Sequence, residues 1–213
     1  MVEISSKIDK KVINEMPVVV FPGSIEVIDT LEAAQEAVRY LRKEKAIGFD
    51  TETRPSFKKG VHHIIALLQL SSHTRSFLFR LNRIGVPDCL ADLLSDGSVL
   101  KIGLSVKDDF HALKARTSAL PAGFVEIQTM CGEMGIEEKG LQKIYALLFG
   151  EKISKSQQCS NWENETLSDS QCSYASIDAW SCLKIHDYLE ELKKNGEYRI
   201  IKVENEESNT EER

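Results

Sequence analysis

Acidic side chains with a strand-like spacing are the first candidates for chemistry in this sequence. Asp50 and Glu52 lie two residues apart at the end of the apolar run Ala46–Thr51. Because side chains at i and i+2 share one face of a strand, both carboxylates point the same way. Two carboxylates this close repel each other unless a cation lies between them, and a divalent metal ion with oxygen ligands is the natural partner. Taken alone, such a pair is more typical of solvated charge at a strand end.

Two later segments carry further acidic residues. Asp108 and Asp109 follow the apolar run Val99–Leu104 at a predicted helix start, where aspartate is also an ordinary capping residue. Tyr174 and Asp178 are four residues apart, so that a helix would place the phenol and the carboxylate on one face. Taken alone, Tyr174 and Asp178 are more typical of a hydrogen-bonded pair on a helix surface.

Alternating strand and helix patterns must position these side chains. Short β-branched runs and apolar alternation predict strands, and apolar residues at a spacing of three and four predict helices. Ser71–Arg75 has the composition of a hairpin turn, so one antiparallel pair is expected within the sheet. The predicted class is therefore α/β. Strands are predicted at 17–21, 25–28, 46–51, 61–70, 76–81, 99–104 and 124–130, and helices at 31–41, 88–94, 107–116, 141–149 and 168–194.

Length and composition indicate one folded domain with two less ordered ends. The 213 residues are 42% hydrophobic and 28% charged, as in ordinary globular domains. We predict an N-terminal arm over 1–15, a domain over 16–200 and an acidic flexible tail over 201–213. Of the net charge of −6, residues 203–213 contribute −4, from five glutamates and one arginine, which leaves −2 for the rest. A nearly neutral body argues against wrapping a long duplex by charge alone.

The cellular setting is predicted from two further features. No apolar run approaches the roughly 18 residues of a membrane helix, and the first residues lack the apolar core of a signal peptide. The cysteines are five in number, and none has C-x-x-C spacing, which favours reduced thiols over a disulfide framework or a zinc site. We therefore expect a cytoplasmic protein with no membrane partner.

Taken together, the acidic segments resemble the three exonuclease motifs of the DEDD superfamily of 3′–5′ exonucleases. The closest likeness is to the ribonuclease D-like branch, which includes the exonuclease domain of the Werner-syndrome helicase. The resemblance spans about residues 25–192. It is carried by IGFDTETRP at 47–55, by KIGL at 101–104 followed by Asp109 and Leu113, by GLQKI at 140–144, by KSQQCSNW at 155–162 and by YASIDA at 174–179.

The resemblance implies a ribonuclease H-like fold, a mixed β-sheet flanked by helices on both sides. The four acids of the family map onto Asp50, Glu52, Asp109 and Asp178. Asp109 is preferred to Asp108 because it lies eight residues after the lysine of the second motif. The chain resembles the tyrosine branch, since Tyr174 lies four residues before the last aspartate and a serine occupies the position of the alternative histidine.

The implied activity is metal-dependent 3′–5′ exonuclease activity on single-stranded nucleic acid. By resemblance, the four acids hold two divalent ions, Mg²⁺ or Mn²⁺, with Asp50 bridging them, and Tyr174 orients the attacking water. The same resemblance implies that the 3′ end of single-stranded DNA or RNA lies near Thr51, Lys155 and Asn161. Trp162 either stacks on a base or, more typically for a tryptophan under a loop, packs in the interior.

Two alternatives stay open on the sequence alone. Asn164 and Glu165 stand where the family usually has arginines, and the helical accessory domains of ribonuclease D are not expected here. Both departures argue against strong autonomous binding of tRNA. The low charge of the body and the missing accessory domains favour a non-catalytic nucleic-acid-binding or scaffold module on the same fold. The other alternative is an α/β domain with unrelated surface carboxylates, which predicts that the acids lie more than about 10 Å apart, too far for metal–oxygen bonds of about 2–2.6 Å.

Overall fold

A computed structural model of the protein describes residues 1–58, 60 and 63–203. The described residues form eight strands and eight helices, and no described helix is long and apolar enough to cross a membrane. In chain order these elements are β1 Val2–Ser5, α1 Lys10–Glu15, β2 Ser24–Ile28, α2 Leu31–Leu41, β3 Ala46–Thr53, β4 Ile65–Ser71, β5 Arg75–Phe79, α3 Leu81–Ile84, α4 Asp88–Leu94, β6 Leu100–Gly103, α5 Val106–Leu113, β7 Phe124–Glu126, α6 Ile127–Met134, α7 Leu141–Phe149, α8 Asp169–Asn195 and β8 Tyr198–Ile201.

A six-stranded mixed sheet forms the centre of the fold, with the strand order β2-β5-β4-β3-β6-β7. Strands β3, β4 and β5 pair antiparallel, as the hairpin signal predicted. The outer pairs β2–β5, β3–β6 and β6–β7 are parallel. Every residue of β4 is buried, because the strand lies inside the sheet and both of its faces are covered.

Helices cover both faces of this sheet. On one face, α2, α4 and α5 bury their apolar residues against Ile47 and Phe49 of β3 and against β5. On the other face, α6, α7 and α8 form a second core with Ile102 of β6. Helix α8, with 27 residues, contacts β2 through β6 and so crosses five of the six strands of the sheet. The mixed sheet with helices on both sides is confirmed.

A glycine lets α8 approach β3 closely. A Cβ atom built on Gly48 would lie 1.8 Å from the carbonyl oxygen of Ala179 in α8. Only glycine therefore tolerates this contact, and backbone cannot move aside as a flexible side chain can. The contact brings the middle of α8, including Asp178, against the strand that carries Asp50.

We expect Gly48→Ala to lower the free energy of unfolding by about 1–3 kcal/mol or more, because overpacking forces the backbone of α8 off the strand. Gly132→Ala is the matched control. Gly132 lies inside α6 with open space where its Cβ would be, so the change there should stabilise by about 0.5–1 kcal/mol. Urea unfolding followed by circular dichroism measures both. Equal stability of Gly48→Ala and wild type would contradict the close approach.

The segment predicted as a loosely held arm contains a strand and a helix instead. Strand β1 pairs parallel with β8, near the other end of the described chain, and buries Ile4. This pairing joins residues almost 200 positions apart, which no local pattern reveals. The division into arm, domain and tail stays a prediction, and residues 204–213 of the acidic tail lie outside the described residues.

Two strand predictions were wrong for local reasons. The run 17–21 forms no strand beyond a single bridge between Val18 and Lys152. Pro17 begins this run without an N–H to donate to a ladder. The run 124–130 is a strand only to Glu126 and then continues as α6. Its later apolar residues, Ile127, Met130, Cys131 and Met134, have helical spacing and are buried together.

Candidate active site

Three carboxylates from two elements meet at the carboxyl end of β3. Asp50 and Glu52 extend from β3 on the face covered by α8, and Asp178 extends from α8. A ligand oxygen from each of the three lies within 4.8 Å of the others. Asp178 is buried, and the two strand residues are half-buried. This convergence contradicts the alternative of unrelated surface carboxylates for these three residues.

Asp109 lies beside this cluster rather than within it. It is in the first turn of α5, and Thr51 donates a side-chain hydrogen bond to its Oδ1. Thr51 lies between Asp50 and Glu52 on β3, so its side chain extends to the opposite face of the sheet. The charge of Asp109 is nonetheless close enough to raise the pKa of both Asp50 and Glu52, after the larger effects of burial and of Asp178.

A carboxylate that the sequence analysis missed shapes the start of α5. Glu126 accepts hydrogen bonds from the backbone N–H groups of Ser105 at 3.0 Å and Val106 at 2.9 Å. Ser105 has a φ of 62°, the single positive value among the described non-glycine residues. Glu126 thus caps α5 and holds the turn that directs Asp109. This role follows from the position of Glu126 at the carboxyl end of β7, next to the end of β6, which no local sequence pattern indicates.

The lysine of the second motif supports the fold and lies outside the cluster. Lys101 is fully buried, and its Nζ donates to the carbonyl oxygens of Leu93 at 3.2 Å and Asp96 at 2.6 Å. Its ammonium also lies 5.1 Å from the ring centroid of Phe124. Burial lowers the pKa of Lys101 to about 8. Its contacts tie β6 to the turn after α4.

The cluster is electrostatically strained without a cation. Burial, followed by the charges of Asp178 and Asp109, raises the pKa of Glu52 to about 8. Burial raises the pKa of Asp178 to about 7, and burial with the nearby Asp108 and Glu126 raises the pKa of Asp109 to about 6. The pKa of Asp50 lies well above its usual value for the same reasons. Closely spaced carboxylate oxygens of this kind fit a hard divalent cation, which would compensate their charge.

Tyr174 stands one helical turn before Asp178 and donates a hydrogen bond to its carboxylate. Its ring is buried and lies 6.0 Å from that of Trp162, measured between centroids. Burial and the charges of Asp178 and Glu52 raise the pKa of Tyr174 above its usual value, so the phenol stays protonated at neutral pH. Trp162 is fully buried among apolar residues, which confirms that it packs under the loop and does not stack on a base.

A buried arginine that the sequence analysis missed fixes this loop. Arg80 is 2% exposed, and its guanidinium donates to the backbone carbonyls of Asn164 and Glu165. Arg83 donates to the same Glu165 carbonyl. The two arginines extend from the end of β5 and from α3. They hold the loop that covers Tyr174, although the loop itself lacks the arginines expected after Trp162.

An open cleft of about 430 Å³ leads to the carboxylates. Lys155, predicted to contact substrate, lies on its wall, together with Lys143 and Gln142 at the start of α7. Asn161 is not among the lining residues. Its side-chain oxygen accepts from the backbone N–H of Glu163 at 3.1 Å, and its carbonyl accepts from Gln171 at 3.2 Å. A direct substrate contact of Asn161 stays a prediction.

Comparison with known proteins agrees with this geometry. A family model described as 3′-5′ exonuclease matches residues 25–193. The bifunctional 3′-5′ exonuclease/ATP-dependent helicase WRN of Mus musculus is 30% identical over 196 residues, which cover 87% of this chain and 14% of that protein. Ribonuclease D of Haemophilus influenzae is 25% identical over 177 residues, covering 81% of this chain and 43% of that protein. The chain thus spans less than half of each of these two relatives.

Solved structures share the architecture. The Nibbler EXO domain of Aedes aegypti superposes with a TM-score of 0.73 at 20% identity, over 82% of this chain and 90% of that one. Ribonuclease D of Escherichia coli gives a TM-score of 0.73 at 23% identity, over 80% and 45%. The fold is therefore the ribonuclease H-like fold of these exonuclease domains. With the acidic cluster and the family match over 25–193, the chain belongs to the 3′–5′ exonuclease family.

Proposed function

We propose that the protein is a metal-dependent 3′–5′ exonuclease that hydrolyses phosphodiester bonds from the 3′ end of single-stranded nucleic acid and releases nucleoside monophosphates. The observation that carries this proposal is the convergence of Asp50, Glu52 and Asp178, with ligand oxygens within 4.8 Å, beside an open cleft. Membership of the 3′–5′ exonuclease family supports the same reaction.

In this proposal two divalent cations, Mg²⁺ or Mn²⁺, bind to the carboxylates. Asp50, Glu52 and Asp178 would hold one, and Asp109 with Asp50 would hold the other. When bound, such a pair lowers the pKa of a water molecule and stabilises both the attacking and the leaving oxygen of an in-line displacement. Oxygen ligands without histidine or cysteine favour these hard cations over zinc.

The surrounding side chains position the reactants. Because the phenol of Tyr174 stays protonated, it orients the attacking water by hydrogen bonding rather than removing its proton. Thr51 holds Asp109 through its hydroxyl. Its backbone lies between two of the proposed ligands on β3, so it would contact the terminal nucleotide. Lys155 on the cleft wall would contact a phosphate of the substrate.

Tyr174→Phe tests the positioning role. We expect kcat to fall about 10²-fold with little change in KM, because a misplaced water reacts slowly while substrate contacts remain. The pH profile should keep its shape, since the phenol does not titrate in the working range. Steady-state kinetics on a labelled oligonucleotide measure both. A kcat equal to wild type, or a lost basic limb in the pH profile, would contradict the role.

A gel time course tests the proposed function itself. The protein is incubated with 5′-labelled single-stranded DNA or RNA in Mg²⁺, Mn²⁺ or EDTA. We expect a ladder that shortens from the 3′ end with either metal and no reaction in EDTA. The rates with DNA and with RNA show which of the two substrates is preferred. Ribonuclease D of Trypanosoma brucei, a structural relative, was solved in complex with RNA U12. A folded protein that binds the DNA and the RNA oligonucleotide without shortening either would favour the non-catalytic binding module.

A further inference from the structure

A second cavity of about 350 Å³ adjoins the active-site cleft. The two cavities share Gln142, Lys143 and Lys155 as lining residues. The shared residues belong to the start of α7 and to the segment after it. A nucleic-acid strand that leaves the cleft on this side therefore passes directly into the second cavity.

The charge of this cavity is opposite to that of the cleft floor. Lys10, Lys143, Lys152 and Lys155 line it, and none of its lining residues, all of them described, is acidic. We call it the basic groove. The cleft, by contrast, carries Asp50, Glu52 and Asp178. A strand of phosphates would thus meet cations on one side and the acidic cluster at its end.

The N-terminal segment builds one wall of the basic groove and is anchored at both ends. On the N-terminal side of α1, strand β1 pairs with β8. On the C-terminal side of α1, Val18 forms a β-bridge with Lys152. The backbone N–H of Lys152 donates to the carbonyl of Pro17 at 2.9 Å, and its Nζ donates to the carbonyl of Asn14. Helix α1 between these anchors presents Lys10 and Ile13 to the groove. This wall therefore has a fixed position relative to the cleft.

We propose that the basic groove binds the nucleotides upstream of the 3′ end held in the cleft, which deepens and rests on the proposed function. Lys10 and Lys155 contact phosphates, whereas Lys143 is ion-paired with Glu138 and the Nζ of Lys152 donates to the Asn14 carbonyl. The apolar surface of Ile13 and the half-exposed Val18 packs against sugars and bases. The wall formed by α1 lies before residues 25–193, the part of the chain that matches the exonuclease family. The groove thus adds length-dependent substrate binding to the exonuclease core.

Lys10→Gln tests the groove, with Lys11→Gln as the matched control. Both lysines are exposed in the first turn of α1, but Lys11 does not line the groove. Binding of a fluorescent single-stranded 12-mer, as DNA and as RNA, is measured by anisotropy in EDTA over a range of salt concentrations. We expect Lys10→Gln to weaken binding about 5-fold at 0.1 M salt and to reduce the slope of log K against log salt by about 0.7, the value for one phosphate contact on a single strand.

Kinetics with Mn²⁺ complete the test. Lys10→Gln should raise KM for the 12-mer and leave KM for a trinucleotide, which fills the cleft alone, unchanged. Equal effects of Lys10→Gln and Lys11→Gln, or no effect of either, would overturn the groove. The binding readout needs no catalysis. A protein that binds the 12-mer through Lys10 but never shortens it would therefore refute the proposed exonuclease activity and leave the groove standing.

Discussion

Asp50→Asn should reduce kcat at least about 10³-fold while leaving the protein folded. The exchange keeps the shape of the side chain but removes a charge shared by both proposed cations. Lewis-acid stabilisation is worth several kcal/mol, and each 1.36 kcal/mol is tenfold in rate. The cation-free variant should be no less stable than wild type, because one of the mutually repelling carboxylates is gone. Single-turnover cleavage and thermal unfolding measure the two effects.

Neighbouring aspartates on α5 provide the control for this prediction. Asp109 accepts the hydrogen bond from Thr51, whereas Asp108 is exposed beside it. We expect Asp109→Asn to lower kcat as strongly as Asp50→Asn and Asp108→Asn to lower it less than about threefold. Strong loss in Asp108→Asn with normal activity in Asp109→Asn would reverse the assignment. Normal activity in Asp50→Asn would contradict the carboxylate site altogether.

The stability of the cation-free protein should fall as pH rises from about 5 to 8.5. Folding raises the pKa of Glu52 to about 8, of Asp178 to about 7 and of Asp109 to about 6. The folded state therefore holds more protons than the unfolded state across this window, and their contribution to stability is lost as pH rises through these values. Mn²⁺ binds the deprotonated carboxylates, so its stabilisation should grow over the same window. At 100 times Kd we expect Tm to rise by about 5–10 °C at pH 8.

Asp178→Asn isolates the contribution of the cluster from that of other titrating groups. The variant should show a flatter fall of Tm with pH and a much smaller response to Mn²⁺. Differential scanning calorimetry of both proteins, with Mn²⁺ or EDTA, gives the comparison. An Mn²⁺ shift that is the same at pH 5.5 and pH 8, or unchanged in the variant, would show that the cation binds elsewhere.

The parts of the site that depend on local spacing are predictable from the sequence. The i and i+2 pair Asp50 and Glu52, and the i and i+4 pair Tyr174 and Asp178, lie together as a strand and a helix require. Helices 31–41, 88–94 and 141–149 have the predicted ends, and the helix predicted over 168–194 matches α8 to within one residue at each end. Local caps and apolar periodicity carry this information within a few residues.

Contacts between distant segments were beyond this kind of prediction. Glu126 reaches the turn before α5 because β7 ends beside β6, and Arg80 reaches loop carbonyls more than 80 positions away. The basic groove needs α1, which follows from the pairing of β1 with β8. None of these residues has a local pattern that separates it from an ordinary surface charge. Their roles depend on strand order and helix docking, which only the folded chain defines.

The most direct test of the carboxylate site is the anomalous scattering of Mn²⁺ in crystals of the protein with a short single-stranded oligonucleotide. The proposed arrangement predicts two peaks about 3.5–4 Å apart, both touching Asp50. One should also contact Glu52 and Asp178, and the other should lie on the side of Asp109. A structure with the oligonucleotide in the cleft and no manganese on these four residues would contradict the proposal.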